Sequence, residues 1–94
     1  MEITEVRIFL IYHDPLKAIV SITIDNCFVI RDLKIIRGSN GHFVEMPTKQ
    51  REDQRFEIAS TITAEARKML EDRVLAEYEK LIGEPVTRRK LPCV

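Results

Sequence analysis

The chain has 94 residues, enough for one domain with a single hydrophobic core. Its 15 basic and 15 acidic residues cancel, which excludes a whole-molecule field that attracts nucleic acid or an anionic membrane, so polyanion binding would need local clusters. No apolar stretch approaches the roughly 20 residues that cross a bilayer, and the start at Met1-Glu2 lacks the basic leader of a signal peptide, so we expect a cytoplasmic protein.

Three strands are predicted in the first part of the chain. β-branched and aromatic residues in an alternating pattern run through Ile3–Tyr12, Lys17–Asp25 and Cys27–Arg37. The dipeptide Asp25-Asn26 has the composition of a tight turn between the second and third strands. An antiparallel meander of hairpins is therefore the predicted topology.

Two further strands are predicted after the turn segment 38–41. His42–Met46 has the pattern of a fourth strand that ends at Pro47, and Arg55–Ala59 has the pattern of a short fifth strand. The polar segment 47–54 is then predicted to be the tip of a hairpin between the fourth and fifth strands.

A helix of about 20 residues is predicted from Thr63, where the hydrophobic period becomes 3.6. Thr63 can cap the first turn, and Gly83 and Pro85 end the helix. The predicted apolar stripe consists of Ala66, Leu70, Val74, Tyr78 and Leu81, flanked by Met69 and Ile82. The predicted fold class is α+β, an antiparallel β-sheet meander of four to five strands followed by a C-terminal α-helix packed on one sheet face.

The domain is predicted to span residues 1–83. Residues 84–94 contain two prolines and the basic run Arg88-Arg89-Lys90, which is typical of a flexible tail.

The first and third strands carry apolar residues on both faces, as in the runs 8–11 and 27–30. One helix covers only one face of a sheet, and soluble monomers rarely expose a large apolar patch. We therefore expect a homodimer to which the first and third strands contribute.

No set of residues with a catalytic or metal-binding pattern is found in the sequence. His13 and His42 lie in or near predicted turns, with no associated nucleophile. Cys27 and Cys93 lack the spacing of zinc ligands. We expect no enzymatic activity, no cofactor, no metal and no small-molecule substrate.

Cations cluster in the predicted loop and at the start of the predicted helix. The candidate nucleic-acid-binding residues are Lys49, Arg51, Arg55, Arg67 and Lys68. Clustered Lys and Arg bind phosphates by releasing counterions, independently of base sequence. Glu52 and Asp53 lie among these cations, so an ordinary solvated loop is the alternative interpretation.

Short segments over about residues 1–82 carry a family resemblance in one colinear register. They include Val6-Arg7, Ala18-Ile19, Ser21-Ile22-Thr23, Phe28-Val29, Asp32-Leu33, Asn40-Gly41, Phe43-Val44, Met46-Pro47-Thr48-Lys49, Val74-Leu75 and Glu77-Tyr78. Together these segments resemble the stage V sporulation protein G (SpoVG) family.

The resemblance implies a small bacterial cytoplasmic protein with a sheet and a C-terminal helix that forms dimers. It also implies association with sporulation, septum formation and gene regulation, and binding of DNA and RNA with limited sequence preference. Pro47, Lys49 and Arg67 match the family pattern, whereas Arg51, Arg55 and Lys68 are added here for their charge and proximity.

The chain departs from the family pattern at two places. Ser60-Thr61 stands where the family usually has His-Pro before the helix, and Asp53-Gln54 stands where it usually has Gly near the loop tip. The start of the helix and the geometry of the loop turn can therefore differ from those of the family.

Two functions of different classes follow. One is a nucleic-acid-binding regulator whose loop, rather than a recognition helix, contacts the phosphates of DNA or RNA. The other is a protein-interaction module in septum formation that does not bind nucleic acid. Phosphate binding should weaken steeply with salt, whereas an apolar protein contact should not.

Overall fold

The sheet and helix predicted from the sequence are present in the computed structural model, which describes residues 1–89. Four strands form one antiparallel sheet in chain order: β1 (Ile3–His13), β2 (Leu16–Ile24), β3 (Phe28–Gly38) and β4 (Gly41–Glu45). A separate two-stranded sheet consists of β5 (Thr48–Arg51) and β6 (Gln54–Glu57), and helix α1 spans Ala64–Ile82. The α+β class and the four-stranded antiparallel meander are confirmed.

The turn between β2 and β3 is the tight turn that the sequence predicts. Asp25 and Asn26 have φ values of 52° and 54°, in the left-handed region that Asp and Asn tolerate better than most residues. Two successive residues with positive φ match the twist of the flanking strands. This turn therefore fixes the register that pairs Ile24 with Phe28.

The core lies between α1 and one face of the four-stranded sheet. Alternate residues of β2, Ala18, Val20 and Ile22, are buried on this face because side chains alternate across a strand. The remaining buried apolar residues are Ile3, Leu33, Ile35, Val44, Met46, Leu70, Val74, Leu75 and Tyr78. The core is continuous across the sheet and the helix.

Both ends of α1 are set by the predicted capping residues. The Thr63 hydroxyl accepts a hydrogen bond from the Ala66 N–H at 3.0 Å, and Gly83, at φ 80°, donates its N–H to the Glu79 carbonyl at 2.9 Å. No helix within residues 1–89 is both long and apolar enough to span a bilayer.

The buried face of α1 differs in part from the predicted stripe. Leu70, Val74 and Tyr78 are buried as expected, but Leu75, which the stripe omits, is fully buried. Leu81 belongs to the predicted stripe and is 53% exposed. The buried face is therefore wider than one stripe at the centre of the helix and narrower in its last turn.

The predicted hairpin between a fourth and a fifth strand is wrong. Segment 48–51, predicted to be part of a loop, is strand β5, and it pairs with β6 through Thr48↔Glu57 and Arg51↔Gln54. The two-residue turn Glu52-Asp53 joins them, with Glu52 at φ 57°. The polar composition of segment 48–51 hides this strand, because backbone pairing around a tight turn defines it rather than an apolar face.

The predicted tail begins at residue 84, and residues 84–89 lie against the domain. The Val86 N–H donates to the Glu79 carboxylate at 2.9 Å, and Arg88 forms an isolated parallel β-bridge with His42. Residues 90–94 of the predicted tail lie outside the described residues.

The helix–sheet contact predicts the effect of a core truncation. Leu70 is 3% exposed, so Leu70→Ala should lower the free energy of unfolding by about 2–5 kcal/mol, because it removes buried methyl groups and leaves a cavity. Urea denaturation measures this change. The control Leu81→Ala, on the exposed side of the same helix, should change stability by less than about 1 kcal/mol. Equal losses in the two variants would contradict the assigned buried face.

Candidate nucleic-acid interface

The hairpin of β5 and β6 is the most exposed regular structure in the described part of the chain. Every residue from Lys49 to Glu57 is exposed, whereas Met46 and Pro47, just before β5, are buried. The Ile58 N–H donates to the Pro47 carbonyl at 2.9 Å and closes the base of the hairpin. The hairpin is therefore a projection anchored at its base to the core.

The cations of the hairpin are divided between its two faces. Cross-strand partners share a face, so the pairs Lys49↔Phe56 and Arg51↔Gln54 place Lys49 and Arg51 on one face. Arg55 pairs with Gln50 and lies on the opposite face. The three predicted loop cations therefore do not form one continuous patch on a single face.

Arg55 is held at the base of the hairpin. Its Nε donates to the Thr48 hydroxyl at 3.1 Å, and its guanidinium lies 3.4 Å from a carboxylate oxygen of Glu45 at the end of β4. The Arg55 side chain is still 61% exposed, so this surface ion pair contributes little to stability. Arg55 orients the hairpin and also presents charge to solvent.

Lys49 and Arg51 have a different environment. Neither side chain forms a salt bridge with any residue among 1–89. Both lie on the face that carries the partly exposed ring of Phe56. The structure therefore places two cations without a salt bridge among residues 1–89 and one aromatic ring together on one side of the hairpin.

Arg67, the first helix cation in the predicted site, faces the edge of the main sheet. Its Nε lies 2.9 Å from Glu71 Oε2, and its guanidinium donates to the Val44 carbonyl. Glu71 is 4% exposed and also accepts the Val44 N–H at 3.4 Å. The backbone N–H and the carbonyl of Val44 are thus both bonded to side chains of α1. Arg67 is therefore bonded to this edge of the sheet through Val44 and Glu71.

The neighbouring part of the β4 edge is bonded to the tail. The His42 N–H donates to the Thr87 carbonyl at 2.7 Å, and the Arg89 N–H donates to the His42 carbonyl at 2.9 Å. Gly41 lies at this approach, and a Cβ added there would be 2.8 Å from the Thr87 carbonyl oxygen. Glycine is therefore required at position 41 for the tail to come this close.

Lys68 and the tail arginines are paired with acids of α1. Lys68 Nζ lies 2.8 Å from Asp72, and this hydrogen bond is the main cause that lowers the pKa of Asp72. Arg88 bridges Asp72 at 3.1 Å and Glu79 at 2.9 Å. The pKa of Glu79 is lowered chiefly by the N–H of Val86, with a further contribution from Arg88. The helix acids therefore neutralise much of the positive charge in this region.

Comparison with known proteins identifies the family. The sequence profile of SpoVG matches residues 1–80. The chain belongs to the SpoVG family. A relative from Bdellovibrio bacteriovorus is 53% identical over 81 residues, which cover 85% of this chain and 75% of that protein. A relative from Clostridium acetobutylicum is 44% identical over 90 residues, covering 94% of this chain and 95% of that protein. Both relatives bear the name "Putative septation protein SpoVG".

In this SpoVG family member, Glu71 is a residue of the site region whose role the sequence analysis missed. Its acidic neighbours on α1 suggest a solvated face, but Glu71 is buried and joins the helix to Val44 of β4. In the sequence, Glu71 follows Arg67 by four residues and lies next to the apolar residue Leu70. That spacing predicts a pair on one side of a helix, whereas its burial depends on the distant strand.

The position of Arg67 predicts a structural role. Arg67→Ala should lower the free energy of unfolding by about 1–3 kcal/mol, because the buried Glu71 carboxylate and the Val44 carbonyl each lose a donor. The control Lys68→Ala removes a solvent-exposed pair and should cost less than about 1 kcal/mol. Thermal denaturation of both variants measures the difference. A more stable Arg67→Ala variant would contradict this assignment.

Proposed function

We propose that this SpoVG family member is a nucleic-acid-binding regulator linked to septation and sporulation, and that the β5–β6 hairpin contacts the phosphates of DNA and RNA. The observation that carries the proposal is the pair of exposed cations Lys49 and Arg51 on one face of a projecting hairpin, without an ion-pair partner among residues 1–89. Uncompensated cations bind backbone phosphates and release counterions, whatever the base sequence.

The five candidate residues have different roles in this proposal. Lys49 and Arg51 contact phosphates directly, together with the exposed side of Arg55. Lys68 is exposed and adds to the field near the helix start, but Asp72 reduces its effect. Arg67 contributes by holding α1 against β4 rather than by reaching a phosphate.

A second function is favoured by the names of the relatives, which refer to septation. In this alternative the hairpin contacts a protein of the septation apparatus and no nucleic acid. The ring of Phe56 and the exposed Ile58 give this surface an apolar part that a protein partner could cover. Salt separates the two functions, because phosphate binding weakens by roughly 0.9 log units per log unit of salt for each neutralised phosphate of duplex DNA.

The decisive test removes the hairpin cations. The triple variant Lys49→Ala, Arg51→Ala, Arg55→Ala should bind unrelated duplexes and RNAs more weakly and flatten the salt slope by about one unit for each lost phosphate contact. Its melting temperature should change little, because the three side chains are exposed. Fluorescence anisotropy over a series of salt concentrations measures the affinity and the slope.

The control for this test is the double variant Arg73→Ala, Lys80→Ala, which removes positive charge from α1 beside Glu77. It should bind nucleic acid almost as the parent protein does. If the hairpin variant binds like the parent at every salt concentration, the hairpin is not the contact surface. The helix cations Arg67 and Lys68, or the tail residues Arg88, Arg89 and Lys90, would then be the next to test.

Removal of the acids in the hairpin turn should have the opposite effect. Glu52→Gln with Asp53→Asn removes two negative charges next to Arg51 and should tighten binding to any nucleic-acid sequence. Loss of these charges leaves side chains of almost the same size, so the turn is preserved. Unchanged or weaker binding would indicate that the turn lies away from the phosphates.

We further propose that the protein forms a homodimer through an apolar groove at the start of α1. The groove has a volume of about 260 Å³ and includes Ile3 of β1 and Ile30 of β3 among its lining residues. Ile62, at its rim, is 93% exposed. In a two-fold dimer the same patch is used by both copies, so each Ile62 can enter the groove of its partner and bury both apolar surfaces.

A charge at the rim of the groove should separate the dimer. Ile62→Asp should shift the mass measured by light scattering at micromolar concentration from dimer to monomer, because it would bury an unpaired carboxylate. The control Ile58→Asp changes another exposed isoleucine that does not line the groove and should leave the mass unchanged. A monomeric parent protein at high concentration would disprove the dimer.

A further inference from the structure

A shallow pocket of about 330 Å³ lies on the open face of the four-stranded sheet, opposite α1. The side chains that form it on this face are Arg7, Phe9, Ile19, Ser21, Arg31 and Asp32. They come from three adjacent strands, since β1 pairs Arg7 with Ser21 and Phe9 with Ile19, and β3 lies on the other side of β2. None of these residues belongs to the hairpin or the apolar groove described above.

The pocket is built around an irregularity in the sheet. The β2–β3 register pairs Val20 with Leu33 and Ile22 with Ile30, so both Arg31 and Asp32 lie opposite the single residue Ser21. Asp32 has φ 66°, a conformation that few residues other than glycine adopt. Bulges of this kind redirect side chains, and backbone strain is often found at binding sites. The bulge places Arg31 and Asp32 together on the open face, which also carries Lys34 opposite Ile19.

The open face presents one large aromatic surface beside these charges. Phe9 is 69% exposed, although its neighbours on β1, Ile8 and Leu10, pack against the core. Arg7 lies two residues before Phe9 on the same face and uses its Nε to pair with Glu5 at 2.6 Å. Arg31 forms no salt bridge with residues 1–89.

We propose that this bulge pocket binds one unpaired nucleotide of a single-stranded nucleic acid. The base stacks on Phe9, and Arg7 and Arg31 contact the phosphates on either side of it. The proposal rests on the nucleic-acid binding proposed above and gives it a second contact surface. The hairpin then contacts any nucleic acid, whereas the pocket distinguishes an unpaired strand from a duplex.

Asp32 gives the pocket a preference among bases. A carboxylate only accepts hydrogen bonds, so it favours adenine, cytosine and guanine, which carry an amino group on their pairing edge. Uracil and thymine place two carbonyl acceptors around their single N–H, and these oxygens repel a carboxylate. The Ser21 hydroxyl both donates and accepts, and so adds no comparable preference.

The composition of the pocket matches a nucleotide. Asp32, a residue type that is depleted at protein–protein interfaces, lies in the pocket beside Arg7 and Arg31. An aromatic ring next to two guanidinium groups matches the base and phosphates of a nucleotide, which combine a flat apolar face with negative charge.

The main test uses Phe9→Ala with Phe28→Ala as its control. Phe28 is 70% exposed, almost the same as Phe9, but lies outside the pocket at the start of β3. Binding of a 12-nucleotide single strand of mixed sequence is measured by fluorescence anisotropy beside a duplex of the same sequence. Phe9→Ala should weaken single-strand binding about ten-fold or more and leave duplex binding within about two-fold, because one stacking contact is lost. Phe28→Ala should bind both as the parent does.

Asp32→Asn tests the base preference. Asparagine tolerates the left-handed conformation at this position, so the bulge is kept while the carboxylate is lost. The parent should bind oligocytidylate more tightly than oligouridylate, and the variant should lose most of this difference. Equal binding of the two oligonucleotides by the parent would disprove the role of Asp32.

Four outcomes overturn the proposal in distinguishable ways. If Phe9→Ala binds single strands as the parent does, the pocket is not a nucleotide site. If Phe9→Ala instead lowers the mass from dimer to monomer, a second copy of the chain covers this face. If the parent binds duplexes but no single strands, only this inference fails, whereas a parent that binds no nucleic acid removes the proposed function as well.

Discussion

The arrangement of the helix and the tail depends on the backbone groups at the outer edge of β4, which need hydrogen-bond partners. A backbone N–H or carbonyl that is removed from water must find another partner, and within residues 1–89 no further strand lies beside β4. Val44 finds its partners in Glu71 and Arg67, and His42 finds them in Thr87 and Arg89. These bonds fix the helix and residues 84–89 against the same strand. The position of α1 therefore follows from polar satisfaction at a sheet edge as well as from apolar burial.

This edge also determines how charge is distributed over a chain whose net charge is zero. Glu71, Asp72 and Glu79 attract the cations of the helix and of the tail, so positive charge near β4 is largely compensated. Neither Lys49 nor Arg51 of the hairpin forms a salt bridge with these acids or with any other residue among 1–89. The chain has no net charge that could attract a polyanion, so any such attraction depends on local groups of cations.

Features that depend on local periodicity could be predicted from the sequence. The four strands of the main sheet, the Asp25-Asn26 turn and the caps of α1 follow from alternation, turn residues and capping residues within a few positions. The pairing of β5 with β6 and the burial of Glu71 could not, because polar residues carry no apolar pattern and their partners are distant in sequence. The same limit applies to the site: residue charge identified five cations, whereas only the fold shows that Arg67 is bonded to Val44 and Glu71.

The two edge strands of the main sheet differ in how far their backbone groups are already covered, which limits where a strand of another copy could pair. β4 is closed by the helix and the tail, whereas β1, at the other border, is not covered by another strand among residues 1–89. A sheet with two open borders can recruit copy after copy into a fibril. With a single open border, two copies that join along β1 leave only closed borders outside. Growth of the main sheet by strand addition would therefore terminate at a pair.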